Sequence, residues 1–185
     1  ALLFWQGRPA DLTALCVRAV RAANLARDAW SRGAALTCVT AILATKGRYV
    51  AALRVARQAA GLPLNPAWRW LLAMFIASIS NQLGLPNEAL AAIDEALSLP
   101  HVDLDDRLRQ NLLHQRAMAR AQQGHIAEAI GLALDAHRHL GDYYQDGTAG
   151  STTAQLALLL ALHGRVDEAG TYIAKARSAF HTTGA

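Results

Sequence analysis

The chain has 185 residues, is 53% apolar and 6% aromatic, and carries 18 basic against 14 acidic side chains. That composition is too apolar for a disordered segment, and its longest apolar run, residues 70–79, is too short to span a bilayer. Lys46 and Lys175 are the only lysines and no dense basic run occurs, so nothing points to direct nucleic-acid binding by this segment.

Alanine and leucine dominate while β-branched residues are sparse, which predicts an all-α chain. Five glycines, Gly7, Gly47, Gly84, Gly124 and Gly164, then set a beat of 37 to 40 residues. Self-similarity at such a period marks stacked repeats, in which each unit buries its apolar face against its neighbours. Each glycine reads as the turn between two paired helices, because a left-handed residue at a helix end costs glycine no Cβ clash.

In chain order, the first unit contributes the tail of a helix ending at Gln6 and a helix over 9–22, with Pro9 in the first turn. The second spans 28–45 and 48–60, closed by Gly61 and Pro63. The third spans 66–83 and 86–98, with Pro100 as the stop. The fourth starts after His101, where Asp103, Asp105 and Asp106 favour the N-terminal dipole, runs to Gln123, and resumes over 126–139. A loop over 141–150, containing Tyr143 and Tyr144, leads to the fifth unit at 151–163 and 166–180.

Small residues keep phase with the glycines. Ala52, Ala89, Ala129 and Ala169 lie five residues after them, and Ala19, Ala59, Ala96, Ala136 and Ala176 lie twelve after. Alanines seven apart share one side of a helix and let neighbouring helices approach, with Ile93 and Ile173 expected to fill the core between them. Glu88, Glu128 and Glu168 open the second helices, where the helix dipole favours a carboxylate.

The string Gly-x-x-x-Glu-Ala at Gly84, Gly124 and Gly164, alanine seven residues further on, and Leu99-Pro100 near a unit's end together resemble the tetratricopeptide repeat. The period is longer than the usual unit and the first-helix Trp and Tyr are missing; longer units of this sort are similar to those in effector regions of bacterial transcription regulators. The resemblance implies a right-handed α-solenoid of about five helix pairs over 1–185, forming a single domain and a piece of a longer, cytoplasmic protein. It also implies a concave groove lined by first helices that takes a protein or peptide partner, or an apolar small molecule.

Phase places Met74 and Asn81 of the third unit, Asn111, His114 and Met118 of the fourth, and Gln155 of the fifth on that lining. Amide side chains there suit a peptide backbone and methionines adapt to varied side chains. The alternative reading is an oligomerisation scaffold, a homodimer included, stacking through its terminal repeats. No nucleotide, ester-hydrolase or metalloprotease motif occurs, so neither an enzyme nor a cofactor is expected. His137 and His139 point to opposite sides of a helix and do not suit a metal. Arg109, Arg116 and Arg120 share one helix side and read as a solvated face, and Cys16 and Cys38 read as buried free thiols in a reducing compartment.

Overall fold

The computed structural model describes residues 9–99, 106–140 and 147–183. All regular structure among them is helical: α1 (Pro9–Ala26), α2 (Ala29–Thr45), α3 (Tyr49–Ala60), α4 (Pro66–Gln82), α5 (Pro86–Ser98), α6 (Asp106–Gln122), α7 (Ile126–Leu140), α8 (Gly147–Leu162) and α9 (Val166–Thr183). The expected helix before Gly7 and the 141–146 loop lie outside the described residues, as do Asp103 and Asp105. No helix among the described residues is long and apolar enough to cross a membrane.

The four glycine turns share one design. Gly47, Gly84, Gly124 and Gly164 all adopt positive φ, between 68° and 88°. In each, the glycine N–H bonds the carbonyl three residues back, as Gly124 does to Ala121 at 2.9 Å. The next N–H bonds the carbonyl five back, as His125 does to Arg120 at 3.0 Å. This is the Schellman closure, which satisfies carbonyls that a helix end would otherwise leave bare.

Two helix limits differ from the sequence reading. Helix α1 runs on to Ala26 because its left-handed stop is Arg27, φ 53°, where the four turns within the later helix pairs use glycine. Helix α8 begins at Gly147, inside the expected loop. Gly150 is buried there against the Phe180 ring, and a Cβ at that position would stand 2.9 Å from the ring edge. The glycine that reads as a loop residue is a close-packing residue.

The chain forms two compact units, residues 1–102 and 103–185. In the first, each of α1 to α4 packs on the next, and α2 also packs on α4. Asp28 caps α2 by accepting from Trp30 N–H at 3.1 Å, and Asn65 caps α4 by accepting from Trp68 N–H at 3.0 Å. The core is built from Leu36, Ala56, Ala59, Leu64 and Leu72, continued by Ala52, Leu53 and Ile79. Cys16 of α1 and Cys38 of α2 pack together beside Ile42. Burial pushes Cys16 up to about 11 and raises Cys38 as well, so both are held as thiols at neutral pH.

In the second unit α6, α7, α8 and α9 pack in sequence around Ala117, Ala129, Ile130, Ala133, Leu156, Leu159, Leu160 and Ala169. The in-phase alanines are buried throughout both units except Ala19, which is exposed on α1. Ile173 is exposed as well, although its counterpart Ile93 is fully buried. The first-turn glutamates reach arginines: Glu88 pairs with Arg57 at 2.7 Å, Glu128 with Arg120 at 3.2 Å and Glu168 with Arg165 at 2.6 Å.

The packing row supplies a test of the register. Ala129 is fully buried in the second unit's core, so Ala129→Phe is expected to overpack it and cost about 1–3 kcal/mol in urea unfolding. A neutral result would mean that the alanine row does not form the helix contact.

Candidate functional site

The residues expected to line a groove fall in two places. In the first unit, Met74 is half-buried on α4 and Asn81 is 7% exposed in the helix's last turn. The Asn81 carbonyl accepts the Gly84 N–H at 3.2 Å, so the residue is part of the turn that launches α5. Its neighbours Ile79 and Ser80 are buried too. Asn81 therefore belongs to the interior of its unit.

In the second unit, His114 on α6 is 2% exposed and its Nε2 donates to Oε1 of Gln155 on α8. Burial holds the imidazole below its ordinary pKa; the Gln155 bond works the other way, and nearby His137 lowers it further. His137 is half-buried on α7, and burial followed by the Lys175 charge lowers it in turn. Its ring meets Tyr172 of α9 edge-on at 5.3 Å, and Lys175 Nζ lies 5.0 Å from the Tyr172 ring centre. The Gln155 bond ties α8 to α6, and the His137–Tyr172 contact ties α9 to α7. Met118 packs against the core cluster, while Asn111 and Gln155 remain half-buried.

The arginine face of α6 is also partly engaged. Arg120 pairs with Glu128 and donates to Gln123 Oε1 at 3.1 Å, Arg116 is half-buried, and Arg109 is exposed. Among the described residues no three His, Cys, Asp or Glu side chains gather as a metal would require.

A different feature of the first unit has the shape of a binding site. An open cavity of about 650 Å³ lies between α3 and the turn joining α4 to α5, lined by Val50, Leu53, Arg54, Arg57, Gln58, Leu83 and Leu85. Leu53 forms its floor as part of the core with Ala52 and Ile79, whereas Val50 is 65% exposed and Leu85 is 40% exposed. Arg57 is fixed by two bonds to Glu88, Nε to Oε1 at 3.0 Å and Nη2 to Oε2 at 2.7 Å. Arg54 forms no hydrogen bond or ion pair among the described residues. The depression is open to solvent, with Leu53 at its base and Arg54, Arg57 and Gln58 at its rim.

Repeat phase separates this chemistry from the scaffold. Arg54, Arg57 and Gln58 stand seven, ten and eleven residues after Gly47. Those places hold Ala91, Asp94 and Glu95 in the next pair, and Gly131, Leu134 and Asp135 in the one after. The packing alanines recur from pair to pair, but the cationic rim occurs once. Sequence reasoning overlooked it because it searched the first helices; the signal was the pair Arg54 and Arg57 at second-helix positions that hold Ala91 and Asp94, Gly131 and Leu134, and Thr171 and Ala174 in the later pairs.

A scan against family models and searches of curated proteins and solved structures found no match to the chain. Its function is therefore argued from the geometry of these sites.

Proposed function

We propose that the chain is a non-catalytic interaction module, built from tetratricopeptide-like helix pairs as a right-handed solenoid, that captures an apolar protein segment bearing carboxylates. The observation that carries this reading is the groove with the Val50, Leu53, Leu83 and Leu85 floor and the Arg54/Arg57 rim. Leucine-sized side chains fill such a floor by the hydrophobic effect, and a carboxylate meeting the Arg54 guanidinium gains a charge-assisted bond. The openness of the groove suits a chain segment lying across it. By resemblance, such a module serves as the effector or sensing part of a bacterial regulator.

The test uses a fluorescein-labelled helical peptide with leucines one turn apart and flanking glutamates, titrated by anisotropy against the chain. Arg54→Glu is expected to weaken binding tenfold or more, since a charged hydrogen bond is worth about 1.5–3 kcal/mol and 1.4 kcal/mol is tenfold. Thermal unfolding should be unchanged because Arg54 is exposed. Equal binding of a peptide with lysines in place of glutamates would overturn the reading. Loss of binding with Asn111→Ala but not with Arg54→Glu would move the site to the first-helix face of the second unit.

A further inference from the structure

The Gly84 turn departs from its counterparts in two coupled places. The residue after the turn glycine is Arg48, His125 and Arg165 in the other pairs but Leu85 here, and Leu85 lines the groove. The first-turn glutamates of α7 and α9 stay within their own pair. Glu128 meets Arg120 of α6 at 3.2 Å, and Glu168 meets Arg165, the cation after its own turn glycine, at 2.6 Å. Glu88 has a leucine where Glu168 has Arg165. It reaches instead to the preceding pair, to Arg57 of α3.

That contact is a fork, with Arg57 Nε 3.0 Å from Oε1 and Nη2 2.7 Å from Oε2, so both Glu88 oxygens are engaged. The Glu88 side chain is 29% exposed, against 61% for Arg57. Glu88 thus fills, from within the chain, the place that a ligand carboxylate would take on Arg57. Arg54 stands three residues earlier on α3, so the two guanidinium groups leave the same side of the helix. Their Cβ atoms are about 5–6 Å apart, less than the Debye length of about 8 Å at physiological salt. An acid received by Arg54 therefore feels the Glu88 charge.

Charge then decides what is accepted. Repulsion grows with the product of the charges, so Glu88 opposes a phosphoryl group, at about −1.5 to −2, up to roughly twice as strongly as a carboxylate. A dianion also calls for a second cation, and Arg57 is already taken. We propose that Glu88 sets the specificity of the groove: with Arg57 occupied, Arg54 takes a single carboxylate, and a phosphorylated segment is turned away. This specificity rests on the reading of the groove given above, and every residue it uses belongs to the first unit.

The test titrates the glutamate peptide described above, and copies in which phosphoserine replaces one glutamate at a time, by anisotropy. The unaltered chain is expected to bind no phosphoserine copy more tightly than the parent peptide. Glu88→Gln keeps the size of the side chain and removes its charge. It is expected to raise affinity for at least one phosphoserine copy tenfold or more, by freeing Arg57 for a charged hydrogen bond. For the parent the gain should be about threefold or less, the effect of one exposed charge. Glu95→Gln, two turns further along α5 and outside the groove lining, removes the same charge and should leave the ratio unchanged. Melting should be the same in both variants, since an exposed ion pair contributes little. A preference of the unaltered chain for phosphoserine, or a Glu88→Gln gain that is absent or equal for both peptides, would overturn the role of Glu88 and leave the groove in place. Parent binding that is absent, or untouched by Arg54→Glu, would overturn the groove and the role of Glu88 together.

Discussion

Ile93→Ala is expected to cost about 2–5 kcal/mol, and the same change at Ile173 less than about 0.5 kcal/mol in the monomer. Both isoleucines stand nine residues after their turn glycine, so the repeat assigns them one role. Ile93 has 0% of its surface exposed and Ile173 has 49%. The loss at Ile93 belongs in the upper part of its range because its own helix buries beside it only Ala89, Ala92 and Ala96. Alanines have no rotamers with which to fill a hole, so the cavity persists. At roughly 4–8 °C per kcal/mol for a unit of this size, the two variants separate clearly in a melting experiment run at low protein concentration. Equal losses at both sites would show that Ile173 is covered in solution even in the monomer.

That pair also marks how far the sequence was legible. The helix-pair turns could be read because their chemistry is local: a left-handed residue at a helix end is nearly always glycine, and four of the five glycines are observed in that role. Arg27 escaped notice because nothing in its side chain announces a left-handed conformation. Gly150 misled because a glycine needed for a ring's approach looks the same in a sequence as one needed for a loop. Phase tells which side of a helix faces a neighbour, but not whether a neighbour is there, and so Ala19 and Ile173 are exposed where their in-phase counterparts are buried.

The candidate site was less legible for a related reason. Phase predicts Asn81 and His114 on a groove lining, and both are buried, Asn81 in the turn to α5 and His114 against Gln155. One helix's periodicity does not distinguish a side facing a groove from a side facing the next pair. The groove at Arg54 and Arg57 required the opposite use of the repeat, which is to ask where a pair departs from the pattern that packing imposes on the others.

Acid is expected to destabilise the 103–185 unit as the pH falls below 6.5, and His114 to be the main cause. Folding lowers the His114 pKa, chiefly by burial, below its ordinary 6.5. At any pH between the folded value and 6.5 the unfolded chain binds more protons than the folded one, so stability rises with pH there. The contribution is complete above 6.5 and is lost as the pH falls toward the folded value. His137 acts with the same sign, lowered first by burial and then by Lys175, and its charge opposes one on His114. The carboxylates with altered pKa among the described residues, Asp28 and Glu168, are lowered and titrate below this window. The slope of melting temperature against pH should therefore flatten in His114→Gln and flatten less in His137→Gln; an unchanged slope in His114→Gln would sink the assignment. Gln155→Leu separates the hydrogen bond from the burial. It leaves the His114 N–H buried without its acceptor, which costs about 1–3 kcal/mol at pH 7.5. It also removes the one interaction that favours the imidazolium, so the pH-dependent loss of stability should extend to lower pH and the acid unfolding midpoint should move up.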